Sequence, residues 1–370
     1  MKKICFVTAA RSEYGLLRWI MKAVQECTMF EMQLLVTGGH LLEEQGYTIN
    51  QIIEDGFNID EIVNVQINSS TECGIAIFMG NLASRIALSF EHLSPDLLVV
   101  LGDRYELLPI CNTAMIMGIP IAHFSGGDVT EGAIDDSIRN AVTMMATYHF
   151  PGTEEAAKNI IRMTGRNKNI WMVGEPGLEA FRHINAMNRE ELACSLGLDV
   201  SKKWVLLTFH PVTKDSLRVN LDTAENIARS MLDLGEQYQI VITYANADYG
   251  GNEINKYFHK ISLDKPDQIV QIPSLGQKRY LSFMKQAKFI IGNSSSGIVE
   301  SAYFKIPTVN VGNRQMGRHL CSNIVQCGNS YDDIKAAIEQ VLDGLDINDD
   351  SYYWGDGYTS DRVVDVLKSL

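Results

Sequence analysis

Five acids and a histidine stand within a few residues of two short apolar runs. Leu97–Leu101 ends in Gly102, Asp103 and Arg104; Ile119–Ala122 ends in His123, Phe124, Ser125, Gly126, Gly127 and Asp128, with Glu131, Asp135 and Asp136 close behind. Short apolar runs bounded by turn residues read as buried parallel strands. In open α/β sheets the ligand sits just past the carboxyl ends of such strands. Carboxylates gathered there are the equipment of proton transfer, because each neighbour and each lost water shifts the pKa values of the others. Taken singly, Asp103 has a plainer reading as the ion-pair partner of Arg104. Asp135 and Asp136 have one as acids at a helix start, facing the positive end of the dipole. Together, several acids and His123 fall at successive strand ends of one sheet.

A second constellation binds rather than reacts. Lys288–Ala302 reads KFIIGNSSSGIVESA, a strand, a tight serine-rich turn and a helix. Backbone N–H groups at such a helix start suit an anionic phosphate. One helix cap needs one hydroxyl, whereas Ser294, Ser295 and Ser296 stand between Asn293 and Gly297. NVGNRQMGRH follows the next strand and supplies Arg314 and Arg318, whose forked guanidinium groups match a diphosphate. Thr8–Leu17 delivers Arg11 to the end of the first strand, either for phosphate or substrate contact or as a surface arginine paired with Glu13. His210 ends the first strand of the second half, where phosphate contact or proton transfer is open to it. His40, after VTGG, and Asn246 with Asp248, in TYANAD, are lesser candidates that a turn would explain equally. There is neither a G-x-G-x-x-G nor a Walker A sequence.

These residues need a scaffold of alternating strands and helices. Strand-like runs recur at Ile4–Thr8, Met32–Val36, Leu97–Leu101, Ile119–His123, Tyr148–Phe150 and Ile170–Val173. Helical patterns such as Leu16–Gln25 and Asn81–His92 lie between them. The alternation restarts at Trp204–Phe209, Ile240–Tyr244, Ile269–Gln271, Phe289–Gly292 and Thr308–Val311, with helices near Asp222–Leu234, Arg279–Gln286 and Ile298–Phe304. Such repetition signals parallel βα units. We expect an α/β chain of two Rossmann-like doubly wound domains facing a cleft, with residues 1–178 carrying the acids and 179–357 the nucleotide site. A last helix, 358–370, should pack back on the first domain.

Composition narrows the function classes. The 370 residues exceed one ordinary domain, and 46% are hydrophobic, enough for substantial cores. No unbroken apolar run reaches membrane-spanning length, and the N-terminal apolar run is strand-sized with no A-x-A-like cleavage site. A net charge of −13 disfavours nucleic acid and anionic membranes as partners, though not a phosphorylated small molecule met by local arginines. The seven cysteines, at 5, 27, 73, 111, 194, 321 and 327, never form C-x-x-C, which fits reduced thiols in a cytoplasm and no structural zinc.

As a set, RSEYGLL, LGDRYE, HxxGGDVTEGAIDDSIR, TFHPVT, GNSSSGIVES and GNRQMGR resemble the hydrolysing UDP-N-acetylglucosamine 2-epimerases of bacterial sialic-acid-type sugar synthesis, in order and over nearly the whole chain. The non-hydrolysing relatives show G-T-R-P-E, H-G-D-T and H-R-R-E-N where this chain reads A-R-S-E, L-G-D-R and F-H-P-V. The resemblance implies a GT-B-like fold, a UDP-sugar as partner, no metal, no NAD or other cofactor, and a homodimer or homotetramer. It implies removal of the sugar's C2 proton with anti-elimination of UDP, then addition of water to the glycal with C2 reprotonated on the other face. Carried over residue by residue, Asp103, Asp128, Asp135 and Asp136 are the catalytic acids, with His210 beside them. UDP then meets Arg11, the Ser294–Gly297 turn, Glu300 and Arg314, with His40, Asn246 and Arg318 as further contacts.

Departures from the family pattern bear on the sugar. H-x-H-G-G-E is replaced by H-F-S-G-G-D, so Ser125 stands for a histidine and Asp128 for a glutamate. That change points to a rival substrate, a 2,4-diacetamido-trideoxyglucose nucleotide of the legionaminic-acid type. A GT-B glycosyltransferase would share the nucleotide turn without needing the acids. A periplasmic-type sugar-binding protein would carry a leader.

Overall fold

A computed structural model of the chain describes every residue except 68–70, 132–133, 247 and 349, so two residues of the acid-bearing motif lie outside the description. The strands are short and apolar because they are buried on both faces. β1 (Lys2–Thr8), β2 (Phe30–Thr37), β3 (Glu61–Val63), β4 (Leu97–Leu101), β5 (Ile121–Phe124) and β6 (Tyr148–Phe150) form one parallel sheet in the order β3-β2-β1-β4-β5-β6. Period-two alternation sends Ile4 and Phe6 into the core on one face and Cys5 and Val7 into the core on the other.

A second parallel sheet repeats the plan. β7 (Lys203–Thr208), β8 (Tyr238–Thr243), β9 (Ile269–Ile272), β10 (Phe289–Gly292), β11 (Thr308–Val311) and β12 (Ile324–Cys327) run in the order β12-β11-β10-β7-β8-β9. Val205 and Leu207 enter one core, Trp204 and Leu206 the other. Counted within its own unit, each sheet reads 3-2-1-4-5-6. The order reverses between β1 and β4, and again between β7 and β10. At such a reversal two adjacent loops leave the sheet in opposite directions and open a place for ligand.

The chain divides into two compact units: Met1–Val129 with Ile134–Arg182 and Trp354–Leu370, and Thr130–Ala133 with His183–Tyr353. These limits shift those expected at 178/179 and 358. Pro176–Glu179 forms a 3-10 turn that stays with the first unit, because the buried Glu179 carboxylate accepts the Ser360 N–H and hydroxyl at the start of the last helix, Thr359–Ser369. The returning segment begins earlier because Glu175 N–H donates to Trp354 O at 2.7 Å, and Gly355 lies against Gly174 where a side chain would collide. Thr130–Ala133 joins the second unit through the Glu131 N–H, which donates to Met316 O at 2.9 Å.

Several elements differ from expectation, each for a local reason. The run Ile170–Val173 makes a single bridge, Ile170 to His149, because β6 stops at Pro151, which has no N–H to donate. β5 starts at Ile121 rather than Ile119, after Pro120. β3 and β12 are short edge strands without a long apolar run. The helix expected from Asn81 begins at Glu72, capped by Thr71 Oγ1 accepting the Gly74 N–H at 3.0 Å. That helix, Glu72–Leu93, is long and apolar enough by length and composition to cross a membrane, which corrects the expectation that no segment would be. Its Phe78, Leu82, Ile86 and Phe90 are buried in the first domain's core.

Candidate active site

In the first domain the acids are organised by an arginine. Arg139 lies on the helix Asp135–Met145 and is 1% exposed, a guanidinium held almost wholly out of water. Its Nη2 pairs with Asp103 Oδ2 at the end of β4. Its Nη1 donates to the Asp128 backbone oxygen at 3.0 Å and stands 3.8 Å from Asp136 Oδ1. One fork therefore ties the loop after β4, the loop after β5 and the start of a helix. Isolated buried charge is costly, so these contacts must compensate it.

The loops themselves are fixed by backbone demands. His123 is fully buried, its Nε2 2.8 Å from the Gly102 oxygen and its Nδ1 3.2 Å from Thr143 Oγ1. Burial lowers its pKa to about 4, so the ring is a neutral strut between β5 and the Asp103 turn rather than an acid. Ser125 has φ +56°, the left-handed region, which costs a non-glycine residue energy and is typical of functional turns. Its hydroxyl donates to Glu175 Oε2 at 3.2 Å. Gly127, φ +80°, has no room for a Cβ, which would lie 2.2 Å from the Ala156 oxygen. Asp128 is buried, whereas Asp103, Asp135 and Asp136 are half-buried. The ion pair expected between Asp103 and Arg104 is replaced: Arg104 pairs with Glu106 through Nε and Nη2, both at 3.2 Å.

At the second switch point the groups that meet are mostly neutral. Asn293, fully buried after β10, accepts the His210 N–H on Oδ1 at 2.7 Å and donates Nδ2 to the His210 oxygen at 2.9 Å, bracing the ends of β7 and β10. Gly292 must be glycine, since a Cβ would stand 2.0 Å from the Thr208 oxygen. The Asn293 carbonyl accepts Arg314 Nη1 at 3.2 Å and Gln315 Nε2 at 2.9 Å, which seats a buried arginine beside the serine turn. His210 Nδ1 accepts the Asn246 N–H at 3.1 Å, so in the neutral ring the proton sits on Nε2. Asn246 thus acts through its backbone here. Ser294 Oγ accepts the Ser296 N–H at 3.4 Å, while Ser295 is exposed.

Two expectations change. The helix after the serine turn is broken into a 3-10 turn, Ser295–Gly297, and a four-residue helix, Glu300–Tyr303. So short a helix adds little macrodipole, and the case for an anion here rests on the local N–H groups and the arginines. Glu300 is pushed above the usual carboxylate range by burial, opposed by the Ser296 hydroxyl and Arg318. His40 lies in the interior of the first unit. It is fully buried, with Nε2 2.9 Å from Thr8 Oγ1 and Nδ1 2.8 Å from Thr48 Oγ1, and burial drives its pKa to about 3. Arg11 opens the first helix at the end of β1 and is half-buried. Among the described residues no three His, Cys, Asp or Glu groups could hold a metal ion together.

Sequence reasoning passed over Arg139, Asn293 and Gln315. Arg139 was findable, because it stands three residues after Asp136 and four after Asp135, on the same helix face. Asn293 was quoted only as a neighbour of the serines, although it sits directly at a strand end.

Twin doubly wound sheets of this order define the GT-B-like class of fold, with acids at one switch point and a serine–arginine turn at the other. The sequence narrows that class: residues 22–368 match the family model described as UDP-N-acetylglucosamine 2-epimerase, and the chain belongs to this family, in its hydrolysing branch. It is similar to the GDP/UDP-N,N'-diacetylbacillosamine 2-epimerase (hydrolyzing) of Campylobacter jejuni, 33% identical over 343 residues, 92% of this chain and 87% of that one. It is also similar to the UDP-N,N'-diacetylbacillosamine 2-epimerase (hydrolyzing) of Legionella pneumophila, 32% identical over 372 residues, 100% of this chain and 96% of that one. Its fold is like that of the UDP-GlcNAc 2-epimerase from Neisseria meningitidis bound to UDP-GlcNAc, with a TM-score of 0.82, 15% identity and both chains covered in full.

Proposed function

We propose that this protein hydrolyses a UDP-2-acetamido sugar with inversion at C2, and that the sugar is the 2,4-diacetamido-2,4,6-trideoxy type named for its C. jejuni and L. pneumophila relatives. The observation that carries the chemistry is the Arg139 cluster, three acid-bearing segments fixed around one buried guanidinium. A carboxylate takes the C2 proton as the C1–oxygen bond to UDP breaks, giving the 2-acetamidoglycal and UDP. Water then supplies a hydroxyl to C1, and C2 takes a proton on the opposite face. The C2–H is very weakly acidic, so departure of UDP must be coupled to proton loss. Arg314, Arg318 and the N–H groups of the serine turn stabilise the charge that builds on the diphosphate. Asp103, Asp128, Asp135 and Asp136 divide removal and return of the proton, with His210 donating from Nε2.

The sugar assignment rests on those two relatives and on Ser125 and Asp128, whose smaller side chains stand where the family pattern has histidine and glutamate. UDP-N-acetylglucosamine is the second reading, favoured by a relative of that name from Neisseria meningitidis at 28% identity over the full chain. Seven free thiols, three of them buried, fit work in a reducing cytoplasm.

Incubation with each UDP-sugar in heavy water tests the reading. We expect UDP release without acceptor, NAD or divalent metal, deuterium at C2 of the product, and faster turnover of the diacetamido substrate. Full retention of hydrogen at C2, or reversible loss of activity with chelator, would refute it. Preference for UDP-N-acetylglucosamine would replace the sugar alone.

A further inference from the structure

Glu13 takes no part in the reaction just described, and its surroundings are costly for a carboxylate. It is the third residue of the first helix and 4% exposed. Its Oε2 accepts the N–H groups of Ala9 at 2.7 Å and Ala10 at 3.1 Å. Its Oε1 is buried and has no hydrogen-bond partner among the described residues. Ala10, at the helix cap, has no side-chain acceptor, so the turn that a serine would close from its own position is closed from inside the helix by Glu13. Arg11 springs from this clamped turn. On the other side of the β1–β4 reversal, Glu106 is buried and paired with Arg104, one residue after Asp103. Two buried carboxylates thus influence each other across the switch point, with Arg104 the opposing charge. A neutral cap would hold the helix start without this repulsion.

We infer that Glu13 is a positioning residue: by holding the Ala9 and Ala10 amides it fixes the turn that presents Arg11. Its substrate-level consequences rest on the proposed function; its electrostatic consequence does not. Burial and the Glu106 charge push the Glu13 carboxyl up to about 7, against the pull of Arg104 and of the Ala9 and Ala10 amides. The other titratable group facing this corner, His40 on the turn after β2, is kept neutral by burial, with Arg11 and Arg104 adding to the effect. Ionisation of Glu13 strengthens its grip on both amides, since charged acceptors make the stronger hydrogen bonds. Arg11 is therefore best held above neutrality.

Carboxyl-labelled glutamate in the intact, ligand-free chain gives the first test by carbon NMR. One resonance should titrate near pH 7, be missing in Glu13→Gln, and move to lower pH in Glu106→Gln. Kinetics give the second. Glu13→Gln with unchanged melting should lose about tenfold or more in kcat/KM, carried by KM, and should lose the acid limb near pH 7. Glu13→Asp should keep a limb, displaced, with partial activity. A Glu13 resonance titrating in the ordinary range near 4.5 would overturn the inference, as would Glu13→Gln with wild-type kcat/KM and limb. If Glu13→Gln fails to fold, the native and Glu106→Gln titrations decide. If the chain leaves every UDP-sugar untouched, the proposed function falls, while the NMR titration still decides on Glu13.

Discussion

The two switch points share one strand order and are furnished in opposite ways. Between β1 and β4 stand acids and arginines in contact: Arg139 with Asp103, Arg104 with Glu106, and Glu13 beside them. Between β7 and β10 stand amides and an imidazole, Asn293, Gln315 and His210, bonded mainly to backbone, with Arg314 as the buried charge. The contrast fits the two tasks proposed for these sites. Proton transfer needs charges whose ionisation is set by neighbours, so acids must be buried among cations. Holding an anion needs a rigid neutral frame that keeps positive charge from being cancelled. The same scaffold serves both, because a doubly wound sheet fixes where loops emerge but not what they carry.

The largest break should come from Arg139→Met. Removing one side of a buried charge cluster costs about 3–5 kcal/mol and leaves Asp103 without its counter-ion. We expect denaturant unfolding to show that loss and turnover to fall beyond detection. A stable, active variant would show that the acids need no common anchor. Next come Asp103→Asn and Asp128→Asn, each expected to cut turnover at least about 100-fold, as general acid–base groups do. One neutralised acid among the four should still eliminate UDP and leak the glycal, visible by NMR. Near-normal turnover in both variants would remove the first switch point from the chemistry.

A smaller effect tests the other side. Arg314→Ala should weaken UDP binding by about 1.5–3 kcal/mol in calorimetric titration while leaving melting nearly unchanged. Unchanged affinity would empty the second switch point of its role. The smallest effect is one of acidity. His40 and His123 are depressed to about 3 and about 4, well below the ordinary 6.5. The stability their neutral forms supply is complete above 6.5 and is lost as pH falls toward 4 and then 3. Near pH 5.5 each should cost about 1.4 kcal/mol. Both lie in the first domain, so hydrogen exchange should show protection falling there first. Equal loss in both domains would contradict that reading.

Legibility in the sequence followed burial and continuity. Central strands such as Leu97–Leu101 and Phe289–Gly292 are apolar throughout, because helices cover both faces. β3 and β12 lie at sheet edges with only three and four residues, where half-exposed side chains blur the pattern. Acids at strand ends were legible because chain order alone puts them there. What neutralises them was not: Arg139 reaches Asp103 from 36 residues away, a contact that only the packing of the helix Asp135–Met145 creates. His40 shows how little a strand-end position says by itself. A histidine after a strand reads the same whether it meets a ligand or, as here, two threonines.

The segment Trp354–Leu370 makes the acid-bearing domain discontinuous, with the whole of His183–Tyr353 inserted before its last helix. On a ribosome adding about 5–20 residues each second, the second unit is complete while the first still lacks the helix whose Ser360 binds Glu179. Until Ser360 arrives, that carboxylate lacks the N–H and hydroxyl that Ser360 donates to it, and the first unit's core lacks Val363 and Leu367. A chain lacking residues 354–370 would therefore keep every strand of the second sheet yet lose the segment that closes the first core.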